Sequence, residues 1–183
     1  PLLYWSLMGM ETGLAALCVA IAAADLVPRP ASPRPLRIFP LACAAGVLAR
    51  PDLLLVGILF LAIRAAALRG TGSLRNILLE GTLLAIPVGA HLLWRHATYG
   101  EWLPNTYLLK VHGLSTSLRL ANGLAYSLPY WKTLAVPAFL IAAGLAARAI
   151  PPAVATLLAP ILTLHLYQVW VGGDPWPLWR FTS

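Results

Sequence analysis

Two short stretches of the chain gather side chains that bind hydroxyls, sugar rings and phosphates. The first, HATYGEWLPNTYLLK, places His96, Tyr99, Glu101, Trp102, Asn105, Tyr107 and Lys110 directly after a long apolar run. Aromatic faces cover sugar rings, amide and carboxylate oxygens bond hydroxyls, and a lysine ammonium pairs with phosphate. An aromatic anchor among lipid headgroups would use the same rings. It has no need of the hydrogen-bonding groups set between them, and the mixture favours a binding site. The second stretch, VGGDPWPLWRF, follows another apolar run. There Gly172 and Gly173 permit a sharp turn, Asp174 supplies a carboxylate and Arg180 a planar fork suited to phosphate. A Gly-Pro turn with interfacial indoles and a snorkelling arginine fits the same letters.

Two further groups are candidates with strong structural alternatives. Glu11 stands at the mouth of an apolar segment in WSLMGMETGL, where an acid complements a helix dipole without any substrate. The Arg50-Pro51-Asp52 sequence reads first as a tight turn with a helix-capping aspartate, and second as a pair of site residues. The four histidines lack metal-helix spacing and read as hydrogen-bonded structural residues, and no metal-ligand set is evident. Cys18 and Cys43 sit inside apolar runs as small buried residues. Glycine-rich phosphate loops and nucleophile elbows are absent from the sequence.

The elements that must carry these groups are written in the composition. Of 183 residues, 60% are apolar and 10% charged, and the mean hydropathy is strongly positive. Too few charges remain to cover a water-soluble domain, and those present fall in short gaps between apolar runs. An all-α, polytopic transmembrane bundle is expected, a single domain over 1–183 with about six spans near 12–27, 36–49, 53–68, 74–94, 133–149 and 153–171. Pro40 sits near the start of the second span, where a missing N–H is tolerated. The net charge of +7 comes from 13 basic and 6 acidic residues. The cations are spread over the loops and form no stripe, which excludes nucleic acid as a partner.

Loop charge sets the orientation. One side receives Arg29, Arg34, Arg37, Arg64, Arg69, Arg75 and Arg148 in short loops; the other receives Arg50, Arg95, Lys110, Arg119, Lys132 and Arg180 with most of the acids. The first side is therefore cytoplasmic. An outer segment, 95–132, and an outer tail, 172–183, then hold the chemistry. Within the segment, Leu118, Leu120, Leu124 and Leu128 alternate with polar residues as in a helix lying in the headgroup plane, with Pro129 ending it. All seven tryptophans fall near span ends or in outer loops. The chain opens at Pro1 without a cleavable leader and reads as a piece of a longer protein.

Taken in order, GMET, the Arg50-Pro51-Asp52 turn, YGEWLPNTYLLK and the GGD…RF tail resemble the polytopic glycosyltransferases of the GT-C superfamily. The resemblance is closest to the bacterial branch that contains the mycobacterial terminal arabinofuranosyltransferases, and it spans nearly the whole chain. It implies inverting transfer of a sugar from a polyprenyl-phosphate donor to a cell-envelope glycan or lipid acceptor. The bacterial inner membrane would hold the enzyme, with the site on the non-cytoplasmic face. The donor or acceptor site would draw on Glu11, Arg50, Asp52, Tyr99, Asn105, Tyr107, Lys110, Asp174 and Arg180, with Lys110 and Arg180 toward the lipid phosphate. In that superfamily the base is an acid of a first outer loop, which lies upstream of this sequence, so no catalytic residue is assigned. No cofactor is certain, and the reaction is compatible with a divalent metal. The departure at Pro175-Trp176-Pro177 leaves the local backbone of the tail open. A transporter or flippase for a polar or lipid-linked substrate, or a non-catalytic membrane scaffold, would share the spans. The near absence of ionisable residues within them argues against transport.

Overall fold

The computed structural model describes residues 11–26, 38–68, 74–103, 105–111, 113–147 and 157–173. The protein is all-α, with no strand among the described residues. The helices are α1 (Thr12–Leu26), α2 (Phe39–Ala49), α3 (Leu54–Ala67), α4 (Leu74–Tyr99), α5 (Asn105–Val111), α6 (Thr116–Ala146) and α7 (Leu158–Val171). A 3-10 turn, Pro51–Leu53, leads into α3. Among the described residues only α4 is both long and apolar enough to cross a membrane; α1, α2, Ala135–Gly144 and α7 are apolar but shorter. The chain divides into two compact units, Leu3–Trp102 and, with Pro1–Leu2, Leu103–Ser183.

In the N-terminal unit α2 is the central helix, touching α1, α3 and α4. Small residues make that possible. Ala15, Cys18 and Ala22 of α1 are buried, as are Ala42, Cys43 and Ala44 of α2. A Cβ added at Gly46 would lie 3.3 Å from the Cβ of Cys18, so the two backbones approach as closely as helices with small-residue faces do. Both cysteines are free and buried. The start of α2 has orphan N–H groups, and Asp25, at the end of α1, meets them: its Oδ2 accepts from Ile38 N at 2.8 Å and Phe39 N at 3.1 Å. Pro40 occupies the first turn of α2, where its missing donor costs nothing.

The otherwise apolar interior of this unit holds an ion pair, and its exterior is apolar as well. Arg64 of α3 and Glu80 of α4 are completely buried and joined by hydrogen bonds of 3.1–3.3 Å. Leu14, Leu17, Leu41, Ile58, Leu78 and Ile86 meanwhile face outward. Arg64 therefore contributes no loop charge, contrary to the sequence expectation, and the interior of the unit holds an ion pair that hydropathy hides.

The C-terminal unit is organised around α6 and α7, which pack antiparallel: a Cβ on Gly172 would meet Arg119, one on Gly123 would meet Val169, and Tyr130 stacks on His165. Gly123 is obligatory there, since a Cβ would sit 2.3 Å from the Val169 carbonyl oxygen. Pro129 does not end a helix. It lies, with Pro137, inside the continuous 31-residue α6, so the expected headgroup-plane helix and the following span form one element. Each proline removes one i→i−4 donor, to the Ala125 and Thr133 carbonyls respectively, and Thr133 Oγ1 bonds back to the Pro129 carbonyl at 2.9 Å. The buried positions of α6 are Arg119, Gly123 and Ser127, spaced by four, whereas Leu118, Leu124, Leu128, Val136 and Phe139 face outward. On α7, His165 and Gln168 are buried and Ile161, Leu162 and Leu166 exposed.

Candidate functional site

Within the C-terminal unit the end of the first stretch, on Asn105–Val111, meets the start of the second, at Gly172 and Gly173. Helix α7 ends at Gly172 and Gly173, both left-handed at φ 87° and 80°, with Gly173 N donating to the Gln168 carbonyl at 2.9 Å. Such a double left-handed turn needs glycine. It also lacks room for anything larger: a Cβ on Gly173 would lie 2.7 Å from the Cβ of Tyr126, and one on Gly172 3.0 Å from Cγ of Arg119. Onto this turn docks α5. Lys110 Nζ donates to the Gly173 carbonyl at 3.1 Å, and Trp170 Nε1 approaches Tyr107 Oη at 3.4 Å, a long hydrogen bond. Lys110 and Tyr107 thus stand against the backbone from which Asp174 follows. Asp174 and Arg180 themselves lie outside the described residues, and Asn105 opens α5.

Sequence reasoning missed Arg119, which was assigned to a headgroup helix and is 4% exposed. Its NH1 donates to the Val111 carbonyl at 3.3 Å, and its guanidinium lies 4.5 Å over the Trp170 ring. Arg119 therefore links α5, α6 and α7. One signal was available: Arg119, Gly123 and Ser127, three non-aliphatic residues spaced by four, form a stripe on an otherwise leucine-rich helix, the pattern of a polar inner face. The electrostatics are one-sided. Between Glu101 and Asp174 the sequence contains no Asp or Glu, so two cations meet at the carbonyl end of α7 with a single nearby acid in the chain. The helix end supplies roughly half a negative charge, enough to offset part of one cation.

Further along the α6–α7 contact, His165 stacks on Tyr130 (centroids 4.5 Å apart) and leans on Trp131 (4.8 Å). His165 Nδ1 is 2.7 Å from the Ile161 carbonyl, which assigns the proton to that nitrogen and leaves Nε2 a lone-pair acceptor. Nε2, Ser127 Oγ and Gln168 Oε1 are buried with no hydrogen-bond partner among the described residues.

The remaining candidates belong to the N-terminal unit. Arg50, nearly buried, grips Asp52 through two hydrogen bonds of 2.9 and 3.3 Å, and the carboxylate is spent on that fork; it makes no helix cap. The turn reading accounts for both residues. Glu11 precedes α1, its carbonyl accepting from Ala15 N at 2.9 Å, and Thr12 beside it is buried with an unpartnered hydroxyl. At the end of α4, Tyr99 is exposed, edge-on to Trp94 at 5.9 Å and beneath the Arg95 guanidinium at 5.8 Å, while His96 stacks on Trp102 at 4.2 Å. That cluster has the composition of an interfacial aromatic belt. No group of three or more His, Cys, Asp or Glu able to hold a metal exists among the described residues. Comparison with protein-family models, curated proteins and solved structures returns no match to the chain.

Proposed function

We propose that the chain belongs to a polytopic membrane glycosyltransferase of the GT-C type, which moves a sugar from a polyprenyl phosphate to a cell-envelope acceptor on the non-cytoplasmic face of a bacterial inner membrane. The observation that supports it most is the meeting of two motif segments far apart in sequence, Lys110 on the Gly173 carbonyl at 3.1 Å, with Tyr107 and Trp170 beside them. An ammonium, a guanidinium, a phenol and an indole around one turn suit a sugar phosphate: rings against the sugar, cations toward the phosphate. The apolar exterior of both units supports the membrane part of the reading.

In an inverting transfer the acceptor hydroxyl attacks the anomeric carbon as the bond to the phosphate oxygen breaks. The hydroxyl proton passes to a carboxylate and the leaving phosphate gains charge that cations stabilise. Lys110 and Arg180 take the cation role in this proposal, and Asp174 lines the site as an acid. The test is incorporation of label from a polyprenyl-phosphate sugar by the full-length protein in proteoliposomes. Lys110→Met and Arg180→Met are each expected to lower turnover by at least tenfold, and unaltered turnover in both would overturn the assignment.

One observation favours a second reading, a transporter. The Arg64–Glu80 pair is completely buried in the apolar N-terminal unit, and ionisable groups at such depth often line a pathway. Transport predicts that Glu80→Gln abolishes substrate movement in a folded protein while sugar transfer is absent from the wild type.

A further inference from the structure

Helix α4 changes character sharply along its exterior. Between Arg75 and Arg95 the sequence holds one charged residue, Glu80, which is completely buried against Arg64. Every exposed residue from Leu78 to Trp94 is apolar except Thr82, and the Thr82 hydroxyl is spent on the Leu78 carbonyl at 2.7 Å. From His96 to Leu103 every residue is exposed, and the letters become His96, Thr98, Tyr99, Glu101 and Trp102. Their rings pack on one another, His96 on Trp102 at 4.2 Å and Tyr99 on Trp94 at 5.9 Å. A bare apolar shaft suits hydrocarbon, whereas amphipathic rings with hydroxyls and charges among them suit the headgroup layer.

Length agrees with that division. At about 1.5 Å per residue, Trp94 stands roughly 28 Å along the helix from Arg75, close to the roughly 30 Å of a hydrocarbon core. The neighbouring helix repeats the pattern. Helix α3 runs antiparallel to α4: a Cβ on Gly57 would meet Leu84, one on Gly81 would meet Leu61, and Arg64 pairs with Glu80. The Arg50–Asp52 fork that precedes α3 therefore lies toward the Trp94 end, and Arg64, in the last turn of α3, toward the Arg75 end. Ionic groups on both helices keep to the two ends and leave the middle apolar.

We infer that α4 is set in the bilayer with Arg75 in one headgroup layer and Trp94 at the boundary of the other, so that its last turn and Trp102 form an anchor held among phospholipid headgroups. The inference rests on the membrane reading and adds a depth to each residue of the helix. Ile86 lies at the midplane. The Arg64–Glu80 pair lies only about 7–8 Å in from Arg75, whereas transporters hold substrate near the midplane, so the pair is a joint between two helices and no part of a pathway. Tyr99, the candidate site residue on this helix, stands in the layer that holds lipid phosphates.

The experiment measures depth. The full chain in phosphatidylcholine vesicles carries one nitroxide at a time, on Leu78→Cys, Ile86→Cys, Leu93→Cys or Tyr99→Cys, in a Cys18→Ala/Cys43→Ala background. Collision with oxygen, which gathers in hydrocarbon, is compared with collision with a water-soluble nickel chelate. The oxygen-to-nickel ratio is expected to peak at Ile86, at least tenfold above Tyr99, with Leu78 and Leu93 in between. A peak displaced to Leu78 or Leu93, or a Tyr99 label as deep as Ile86, overturns the register while leaving the chain in the membrane. Aqueous ratios at all four positions overturn the register and the membrane reading together. Should the cysteine-free background fail to fold, the labels go onto the wild type, whose two cysteines are buried, and the signal of the unmutated chain is subtracted.

Discussion

Single residues here do work that their letters only partly announce. Asp25 was an unremarked acid at the end of an apolar run, yet its carboxylate caps the next helix with two charge-assisted hydrogen bonds. Asp25→Ala is expected to destabilise the chain by about 1–2 kcal/mol, and Asp25→Asn, which keeps an acceptor, by less. Thermal unfolding in detergent checks the order of the two. Gly123 provides the opposite lesson about sign. On helix propensity alone Gly→Ala would gain about 1 kcal/mol. With Val169 O at 2.3 Å from the added Cβ, overpacking of about 1–3 kcal/mol outweighs it, so Gly123→Ala is expected to lower the midpoint. An unchanged or raised midpoint would mean that α6 and α7 are not in backbone contact there. Gly172 and Gly173 could be read as a turn from sequence because the reason is local; the need for Gly123 lies on another helix.

Elements were legible where hydrophobic runs have clear ends and illegible where they do not. The expected positions of α1 to α4 follow the apolar runs closely, and Pro40 sits in the first turn as its chemistry requires. The reading of Pro129 as a terminator failed because a proline removes a single donor, the one to the Ala125 carbonyl, and the 31 residues of α6 keep the helix through it. The Arg64–Glu80 pair was illegible for another reason, since sixteen positions of sequence separate its members and neither letter names the other. Its energetics give a prediction for the α3–α4 contact. Glu80→Gln alone leaves a buried guanidinium without its counter-charge and is expected to cost about 3–5 kcal/mol, whereas Arg64→Met with Glu80→Met removes both desolvation penalties and recovers most of that loss. A double variant no more stable than the singles would show that the pair is bound up with further polar partners and cannot be exchanged for apolar packing.

At the scale of the molecule the decisive feature is which groups face in and which face out. The buried polar side chains are Thr12, Arg50, Arg64 and Glu80 in the N-terminal unit and Arg119, Ser127, His165 and Gln168 in the C-terminal unit, and in both the exposed large hydrophobics are mostly leucine and isoleucine. Water would reverse this. Leaving a large aliphatic side chain half exposed forgoes roughly 1 kcal/mol, and about a dozen of them would equal the 5–15 kcal/mol by which a domain is usually stable. In hydrocarbon the same surface costs nothing, and the small and polar stripe of α6 against α7 becomes the favourable way to join helices. Helix α4, whose 26 residues span roughly 39 Å at 1.5 Å per residue, is long enough to cross the hydrocarbon core by itself. The chain is therefore expected to remain in the membrane pellet after alkaline carbonate extraction and to precipitate when detergent is removed. Recovery as a monodisperse species in detergent-free buffer would sink the membrane reading, because the exposed leucines of both units would then have to be covered by something other than lipid, and the proposed sugar-phosphate site would lack the interface that a polyprenyl donor requires.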